Sequence, residues 1–371
     1  MEANRSASAE GTRRYRDRFP HLPGHFRERH NLQLSSIGIG TYLGQIDDET
    51  DARYVEAIKH ALSSGVNVLD TAVNYRCQRS ERNIGQALAE MFESGALHRD
   101  EVIVATKGGF VPFDGKPPRD LSKFIEKNYI KTHIAQADEF VDAHCMSPEY
   151  LWHQIDRSLN NMGLECIDLY YVHNPETQLD AVPRAEFRKR LEAAFRFLED
   201  QVLEGRIRFY GAATWNGFRA LPKARDYLSL DDVMSIARRV RGINHHFRFI
   251  QLPFNFALLE ALVGRTQQVS GELMSLLEAA QRLGMTAMIS APLFQTRLLG
   301  QFPDKLRTQF GAELTSDAQR AIQFARSAPG VTTALTGMSH IEHVDDNLAT
   351  ARVPPVDATS FKKLLRQRFS V

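Results

Sequence analysis

The chain has 371 residues, of which 43% are hydrophobic and 25% are charged, an ordinary globular composition with ample apolar material for a core. The formal net charge of +1 gives no reason to expect a nucleic acid or an anionic membrane as partner. The three cysteines fit a reducing cytosol better than a disulfide framework, and the N-terminus lacks the apolar segment of a signal peptide, so a cytoplasmic location is expected.

Residues 1–30 are rich in arginine, histidine, serine and glycine and show little apolar periodicity. This composition predicts a flexible basic arm, with an ordered arm that closes a subunit contact as the alternative. Residues 31–371 are predicted to form a single domain with insertions at about 111–146 and 221–247. No apolar run approaches the roughly 18 residues that a membrane helix needs.

From about Leu32 onward, short apolar and β-branched runs alternate with longer amphipathic stretches, which is the rhythm of a parallel α/β sheet. Eight runs are predicted strands: Ile37–Thr41, Val66–Ala72, Glu101–Gly108, Cys166–His173, Ile207–Thr214, Phe249–Asn255, Met285–Leu293 and Thr332–Met338. Eight strands fit a closed (β/α)₈ TIM barrel, which takes about 250 residues and tolerates insertions.

Helices are predicted between these strands from the three- and four-residue spacing of apolar side chains. They are Asp51–Ser64, Ser80–Phe92, Ser147–Met162, Glu186–Leu203, Glu272–Leu283 and Asp317–Ser327. The first insertion, 111–146, separates the third strand from its helix and is expected on the C-terminal rim of the barrel, over an active site. The second, 221–247, carries Arg238, Arg239 and Arg241 and is predicted to be a solvated, partly helical face.

Polar side chains follow several of the apolar strands. Asp70 and Tyr75 follow the second strand, Lys107 the third and His173 the fourth, and Gln251 lies within the sixth. In a barrel the C-terminal ends of all strands surround one mouth, so these residues are expected to converge. A buried Lys or Asp is costly unless it is paired, which favours a Lys107–Asp70 ion pair.

The paired arrangement predicts a specific chemistry. A phenol is too weak an acid for efficient catalysis at neutral pH, and a neighbouring cation such as Lys107 is expected to lower the pKa of Tyr75. His173 can hydrogen-bond and orient a carbonyl oxygen, while Tyr75 donates a proton to the developing alkoxide. Hydride must come from a cofactor, because no side chain donates one.

At this point the sequence resembles the aldo-keto reductase family over about residues 32–350. The motifs that carry the resemblance are Gly-Ile-Gly-Thr-Tyr (38–42), Asp-Thr-Ala-Val-Asn-Tyr (70–75), Ser-Glu-Arg-Asn-Ile-Gly (80–85), Val-Ala-Thr-Lys (104–107), Ile-Asp-Leu-Tyr-Tyr-Val-His (167–173) and Gly-Met-Ser-His (337–340). The resemblance implies a catalytic tetrad of Asp70, Tyr75, Lys107 and His173, and NADPH-linked interconversion of carbonyl compounds and alcohols, with NADH as a possible substitute.

The resemblance also implies a set of cofactor-binding residues. They are Gly40, Thr41, Asp70, Thr214, Gln251, Ser290, Leu293, Gln295, Arg297, Gly337, Ser339, His340, His343, Asp346 and Asn347. Ala213 and Thr214 stand where relatives usually have Ser-Asn, and Ser290 stands where an aromatic residue often stacks on the nicotinamide. His340 replaces a usual Lys or Arg, so weakened NADPH affinity is predicted and preference for NADPH over NADH follows from the resemblance alone.

The substrate is expected to be a small carbonyl compound, in a pocket shaped by Tyr42 and Phe110. Two alternatives stay open: a cofactor-binding regulatory module without significant turnover, and a dehydratase or epimerase that uses transient oxidation. Neither His144-Cys145 nor His245-His246 completes a metal-ligand spacing, so no metal site is predicted. The sequence does not fix an oligomeric state.

Overall fold

The computed structural model describes residues 5–300 and 309–369. Its strands are β1 (Phe26–Arg29), β2 (Leu32–Ser35), β3 (Ile37–Gly40), β4 (Val68–Asp70), β5 (Ile103–Gly108), β6 (Ile167–His173), β7 (Ile207–Ala213), β8 (Phe247–Pro253), β9 (Arg265–Val269), β10 (Glu272–Ser275), β11 (Thr286–Ser290) and β12 (Val331–Gly337). Its helices are α1 (Ala9–Asp17), α2 (Asp48–Ser63), α3 (Arg79–Glu93), α4 (Leu121–Ile125), α5 (Pro148–Met162), α6 (Arg184–Leu203), α7 (Leu230–Arg241), α8 (Glu260–Val263), α9 (Leu276–Arg282), α10 (Asp317–Ser327), α11 (Ile341–Ala349) and α12 (Ala358–Phe369).

Eight parallel strands, β3 to β8 followed by β11 and β12, close into a barrel in which β12 pairs with β3. The prediction of a (β/α)₈ barrel is therefore confirmed, and each predicted strand overlaps one strand of the barrel. Apolar side chains such as Val68, Ile103, Leu169 and Met288 form a cluster of their own that fills the barrel interior. A larger cluster packs the outer faces of the strands against the helices.

The N-terminal segment differs from the flexible arm that its composition predicts. Within it, α1 packs on the barrel through Tyr15, which is fully buried with its hydroxyl 2.5 Å from the Leu62 carbonyl oxygen. The β1–β2 hairpin follows. Composition misleads here because the buried positions of α1 include only one large apolar side chain, Tyr15, beside Gly11 and Thr12. Residues 1–4 of the predicted arm lie outside the described residues.

Two other segments also differ from expectation. The predicted helix Glu272–Leu283 begins as strand β10, because Ser270 and Gly271 have positive φ angles of 53° and 83° and join β9 to β10 in a hairpin. The expected insertion at 221–247 contains α7. This is the helix that the alternating strand–helix pattern of the barrel places after β7, so it is part of the barrel and not an insertion.

The insertion at 111–146 lies between β5 and α5. It contains α4 and a small core of its own, in which Tyr129, Val111 and Ile125 are buried. No helix of the described part of the chain is long and apolar enough to cross a membrane. That residues 31–371 constitute one domain remains a prediction.

Candidate active site

The C-terminal ends of three neighbouring barrel strands bring polar side chains to one mouth of the barrel. Asp70 is the last residue of β4, His173 is the last residue of β6, and Lys107 is next to last in β5 between them. Tyr75 follows β4 by a short turn. All four side chains that the sequence predicts as catalytic therefore lie at the same end of the barrel.

Lys107 and Asp70 form a buried ion pair. The Nζ atom of Lys107 lies 2.7 Å from Oδ2 of Asp70 and 2.6 Å from the carbonyl oxygen of Thr71. The other carboxylate oxygen, Oδ1, accepts a hydrogen bond of 2.7 Å from the side-chain amide of Gln251. Burial is the largest single effect and lowers the pKa of Lys107, but the charges of Asp70 and Tyr75 and the hydrogen bonds to them together outweigh it and raise that pKa, so the ammonium form is favoured.

Tyr75 lies against this pair, with Lys107 Nζ 4.8 Å from the centre of its ring. Its ring also contacts Tyr42 at 4.9 Å and His173 at 5.8 Å between centroids. Burial raises the pKa of Tyr75, and the opposing effect of Lys107 does not outweigh it. The expectation that Lys107 brings this pKa below its usual value is therefore wrong, although Lys107 acts in the expected direction.

His173 completes the group. Its ring meets Phe110 edge to face, with 5.1 Å between centroids. Burial, then the charge of Lys107, then His144 lower the pKa of His173 well below its usual range, so the ring is neutral at neutral pH. Within the described parts of the chain, its Nδ1 atom is buried and has no hydrogen-bond partner.

Asp70, Tyr75 and His173 line a cavity of about 490 Å³ at the mouth of the barrel, and Lys107 is not part of the lining. The predicted substrate-pocket residues Tyr42 and Phe110 line it too. So do nine of the predicted cofactor residues, which are Gly40, Thr41, Asp70, Thr214, Gln251, Ser290, Leu293, Gln295 and Gly337. Both Thr214 Oγ1 and Thr336 Oγ1 are buried here without a hydrogen-bond partner among the described residues, which fits a site that receives a polar ligand.

The remaining predicted cofactor residues are not part of this cavity lining. They are Arg297, Ser339, His340, His343, Asp346 and Asn347. Asp346 accepts hydrogen bonds of 2.8 Å from Ser316 and Gln319 at the start of α10, so its carboxylate is already engaged within the protein. The rings of His340 and His343 lie together at the start of α11, 5.1 Å apart.

Several cavity residues were not among the predicted site residues. Asn74, Asn174, Trp215 and Thr336 line the cavity, and each lies in or just beyond the C-terminal end of a barrel strand. That position is itself a sequence signal, because residues directly after barrel strands form the mouth.

The turn after Tyr75 has an unusual backbone. Arg76, Cys77 and Gln78 all have positive φ angles, of 47°, 55° and 72°. Left-handed non-glycine residues persist only where surrounding contacts hold them. Here the Arg76 guanidinium donates to Asp51 at 2.6 Å, and the Gln78 amide donates to the carbonyl oxygen of Phe113 at 2.9 Å. This turn thus links Tyr75 to α2 and to the 111–146 insertion.

Within residues 5–300 and 309–369, no group of three or more His, Cys, Asp or Glu side chains could hold a metal ion.

The chain is similar to known proteins of one family. The family model described as "Aldo/keto reductase family" matches residues 36–237. The chain is 27% identical over 191 residues to the NADH-specific methylglyoxal reductase of Escherichia coli (strain K12), which covers 49% of each chain. It is also 27% identical over 191 residues to Aldo-keto reductase YhdN of Bacillus subtilis (strain 168), covering 50% of this chain and 45% of that protein. The chain thus spans about half the length of the curated relatives it matches.

Solved structures show the same fold. An aldo/keto reductase from Klebsiella pneumoniae in complex with NADP and acetate matches with a TM-score of 0.62 at 20% identity, covering 93% of this chain and 95% of that one. The glycerol dehydrogenase AKR11B4 from Gluconobacter oxydans matches with a TM-score of 0.64 at 19% identity, covering 94% and 97%.

Proposed function

Because this chain belongs to the aldo/keto reductase family, we propose that it reduces an aldehyde or ketone to an alcohol with a nicotinamide cofactor, reversibly, and that Tyr75 is the proton donor. One observation carries the proposal. The Lys107 ammonium lies 4.8 Å from the Tyr75 ring centre and is paired with Asp70 at 2.7 Å, and Tyr75 lines one cavity together with the neutral ring of His173.

NADPH is the proposed cofactor, with NADH as the alternative. Similar structures carry NADP or NADPH, whereas one relative is described as NADH-specific. The buried hydroxyls of Thr214 and Thr336 are the groups of this chain that fit a polar ligand, and Gln251 and Ser290 line the same cavity. When bound, the cofactor supplies the hydride that the protein itself lacks.

The proposed proton path runs through this chain's own side chains. Tyr75 keeps its proton in the resting site, because burial raises its pKa. As the carbonyl carbon gains hydride, the carbonyl oxygen gains negative charge and takes the Tyr75 proton, which leaves a phenolate beside the Lys107 ammonium. That cation stabilises the phenolate, so it lowers the barrier to transfer. The reverse sequence, with the phenolate as base, oxidises an alcohol.

His173 is proposed to orient the carbonyl oxygen. A neutral imidazole can present one N–H as a donor, and a ring that already lies 5.8 Å from the Tyr75 ring can do so near the same oxygen. Tyr42 and Phe110 are proposed to form the walls on which the rest of the substrate packs. The proposed partner is therefore a small carbonyl compound.

The test is steady-state oxidation of NADPH and of NADH with a panel of aldehydes and ketones. Tyr75→Phe should lower kcat by about 10²–10⁴-fold while the cofactor Kd stays within about twofold. Tyr227→Phe is the control, since Tyr227 bonds Thr266 away from the cavity. Cofactor binding without turnover on any carbonyl compound, or full activity of Tyr75→Phe, would overturn the proposal.

A further inference from the structure

His144 lies at the end of the 111–146 insertion and reaches the back of the active site. It is fully buried. Its Nε2 atom lies 2.8 Å from the backbone carbonyl oxygen of His173. Its ring meets Phe110 edge to face at 5.1 Å, and Phe110 in turn meets the ring of His173 at 5.1 Å. His144 does not line the cavity but thus contacts two residues that do.

We propose that His144 is a positioning residue, which holds His173 and Phe110 in the orientation that the proposed carbonyl reduction requires. The inference rests on the proposed function for its kinetic consequence. Its structural part, that His144 sets the orientation of the His173 ring, can be tested without any turnover.

The hydrogen bonds of His144 fix which nitrogen carries the proton. The His173 carbonyl oxygen can only accept, so Nε2 of His144 must donate. On the other side, the Gln178 side-chain nitrogen lies 3.0 Å from Nδ1 of His144 and 3.0 Å from the His144 carbonyl oxygen. The Gln178 oxygen accepts a bond of 2.7 Å from Arg190, which fixes the direction of the amide. Nδ1 is therefore the acceptor, and His144 is the neutral Nε2–H tautomer.

Burial favours the same neutral form, since it lowers the pKa of His144 to about 4. Arg190 is joined to this network through Gln178, and its guanidinium also donates to the carbonyl oxygens of Asp138 and Glu139. Across the neutral pH range, the contact between His144 and His173 therefore keeps one donor and one acceptor.

The backbone leaves His144 almost no freedom to move. Gly109, the first residue after β5, has a φ angle of 143°, and a Cβ atom there would lie 2.8 Å from Nε2 of His144 and 3.0 Å from the His173 carbonyl oxygen. Backbone hydrogen bonds join the segments 109–111 and 143–145: Cys145 N donates to Gly109 O at 2.9 Å, and Val111 N donates to Ala143 O at 2.8 Å. Only glycine allows this approach, which brings the insertion directly against the end of β6.

The insertion itself is anchored independently of substrate. Its own apolar core surrounds Tyr129 and Tyr150. Arg190 of α6 donates to the Asp138 carbonyl oxygen at 2.9 Å, so a hydrogen bond joins α6 to the insertion. Through His144, this segment contacts the backbone of a proposed catalytic residue.

The experiment compares His144→Phe with His144→Gln in the full chain. A glutamine side chain can still place an amide N–H near the His173 carbonyl oxygen, whereas phenylalanine cannot. We expect His144→Phe to lower kcat by about 10–100-fold, because small misplacements of a reacting group have effects of that size. We expect His144→Gln to recover activity to within about threefold of the parent, and the cofactor Kd to change less than twofold in both.

His25 provides a matched control. It is equally buried and also uses both ring nitrogens, which lie 3.0 Å from Ser36 Oγ and 3.0 Å from the Gly65 carbonyl oxygen. Those partners precede β3 and β4, at the opposite end of the barrel. His25→Phe should therefore reduce stability without changing kcat. An equal loss of kcat in His25→Phe and His144→Phe, or none in His144→Phe, would overturn the inference.

Nitrogen-15 NMR of the histidine rings tests the structural part in the parent protein, whether or not the variants fold. We expect the Nε2–H tautomer for His144, and a shift of the His173 ring signals that is large in His144→Phe, small in His144→Gln and absent in His25→Phe. An Nδ1–H tautomer, or unmoved His173 signals, would reject the positioning role. A parent protein without turnover would instead count against the proposed function and leave these NMR results to decide the positioning.

Discussion

Lys107 and Asp70 form an ion pair in which Nζ and Oδ2 are 2.7 Å apart and the two side chains are 1% and 7% exposed. In such a pair each charge depends on the other, because either one alone would be buried without an opposite charge. The same ammonium lies beside the Tyr75 ring. One pair of residues therefore contributes both to the stability of the barrel and to the proposed chemistry.

We expect Lys107→Met to destabilise the fold by about 3–5 kcal/mol, since the Asp70 carboxylate would stay buried without its cation. Removing both charges in the double variant Asp70→Asn, Lys107→Met should recover at least about 1 kcal/mol of that loss. Urea unfolding followed by circular dichroism measures both values.

The exposed pair Lys131–Glu126 offers a control, with 2.9 Å between its atoms and side chains that are 69% and 51% exposed. Lys131→Met should change the free energy of unfolding by no more than about 1 kcal/mol. If Lys107→Met were no more destabilising than Lys131→Met, the buried pair would not have the role assigned to it.

Thr214 lines the cavity, its buried hydroxyl has no partner among the described residues, and we expect this hydroxyl to bind the cofactor. Thr214→Val keeps the shape of the side chain and removes one hydrogen bond, worth about 0.5–1.5 kcal/mol. The cofactor Kd should therefore rise by about 2–12-fold in a fluorescence titration. Thr332→Val is the control, because its hydroxyl is also buried and unpartnered within the described ranges but lies outside the cavity lining. Equal Kd values for both variants would exclude this contact.

The β9–β10 hairpin gives a prediction about stability alone. Ser270 is exposed and has a φ angle of 53°, followed by Gly271 at 83°. Turns with two positive φ angles favour Asn-Gly, because Asn tolerates this conformation better than Ser does. Ser270→Asn should raise the free energy of unfolding by about 0.5–1 kcal/mol, and Ser270→Val should lower it. Thermal unfolding that moves in the same direction for both would contradict this account.

Much of the barrel could be predicted because its signals are local. Apolar runs such as Ile167–His173 are buried on both faces of the strand, and the polar residue at the end of each run marks the mouth. The ends of the strands were predicted less accurately. The predicted strand Val66–Ala72, for example, corresponds to the shorter β4, Val68–Asp70. The net direction of the Tyr75 pKa could not be predicted, because it depends on how much burial opposes Lys107.

Features that depend on contacts between distant segments could not be predicted from the sequence. His144 meets His173 across 29 residues of chain, and nothing in the dipeptide His144-Cys145 indicates that contact. Tyr15 anchors α1 through a single buried ring, which is too weak a pattern to distinguish from a flexible arm. The hairpin at Ser270-Gly271 was missed because its second strand continues directly into α9 and shares the helical spacing of apolar residues.

Glu176 lies behind the cavity and holds the loop that follows β7. Its Oε1 atom accepts backbone N–H bonds from Trp215, Asn216 and Gly217 at 2.8, 3.1 and 3.1 Å. Its Oε2 atom is buried and has no partner within the part of the chain that the structure describes. Burial raises the pKa of Glu176 to about 7, although the three N–H groups act in the opposite direction. The carboxyl thus binds its proton more tightly in the folded protein than in the unfolded chain.

This difference predicts how stability depends on pH. Between the ordinary glutamate pKa of 4.5 and the folded value of about 7, the folded state binds more protons than the unfolded state. The contribution of Glu176 to the free energy of unfolding is therefore fully present below pH 4.5 and is lost as the pH rises towards and through 7.

The variant Glu176→Gln tests this, because its side chain cannot titrate and keeps an acceptor for the loop. Relative to the parent, its free energy of unfolding should improve from pH 5 to pH 8 by up to about 1.4 kcal/mol per pH unit. Urea unfolding at each pH measures the trend, with the variant Glu93→Gln at an exposed position as the control. A difference between Glu176→Gln and the parent that stays constant with pH, or that grows towards acid, would mean that the carboxylate is already charged in the folded loop.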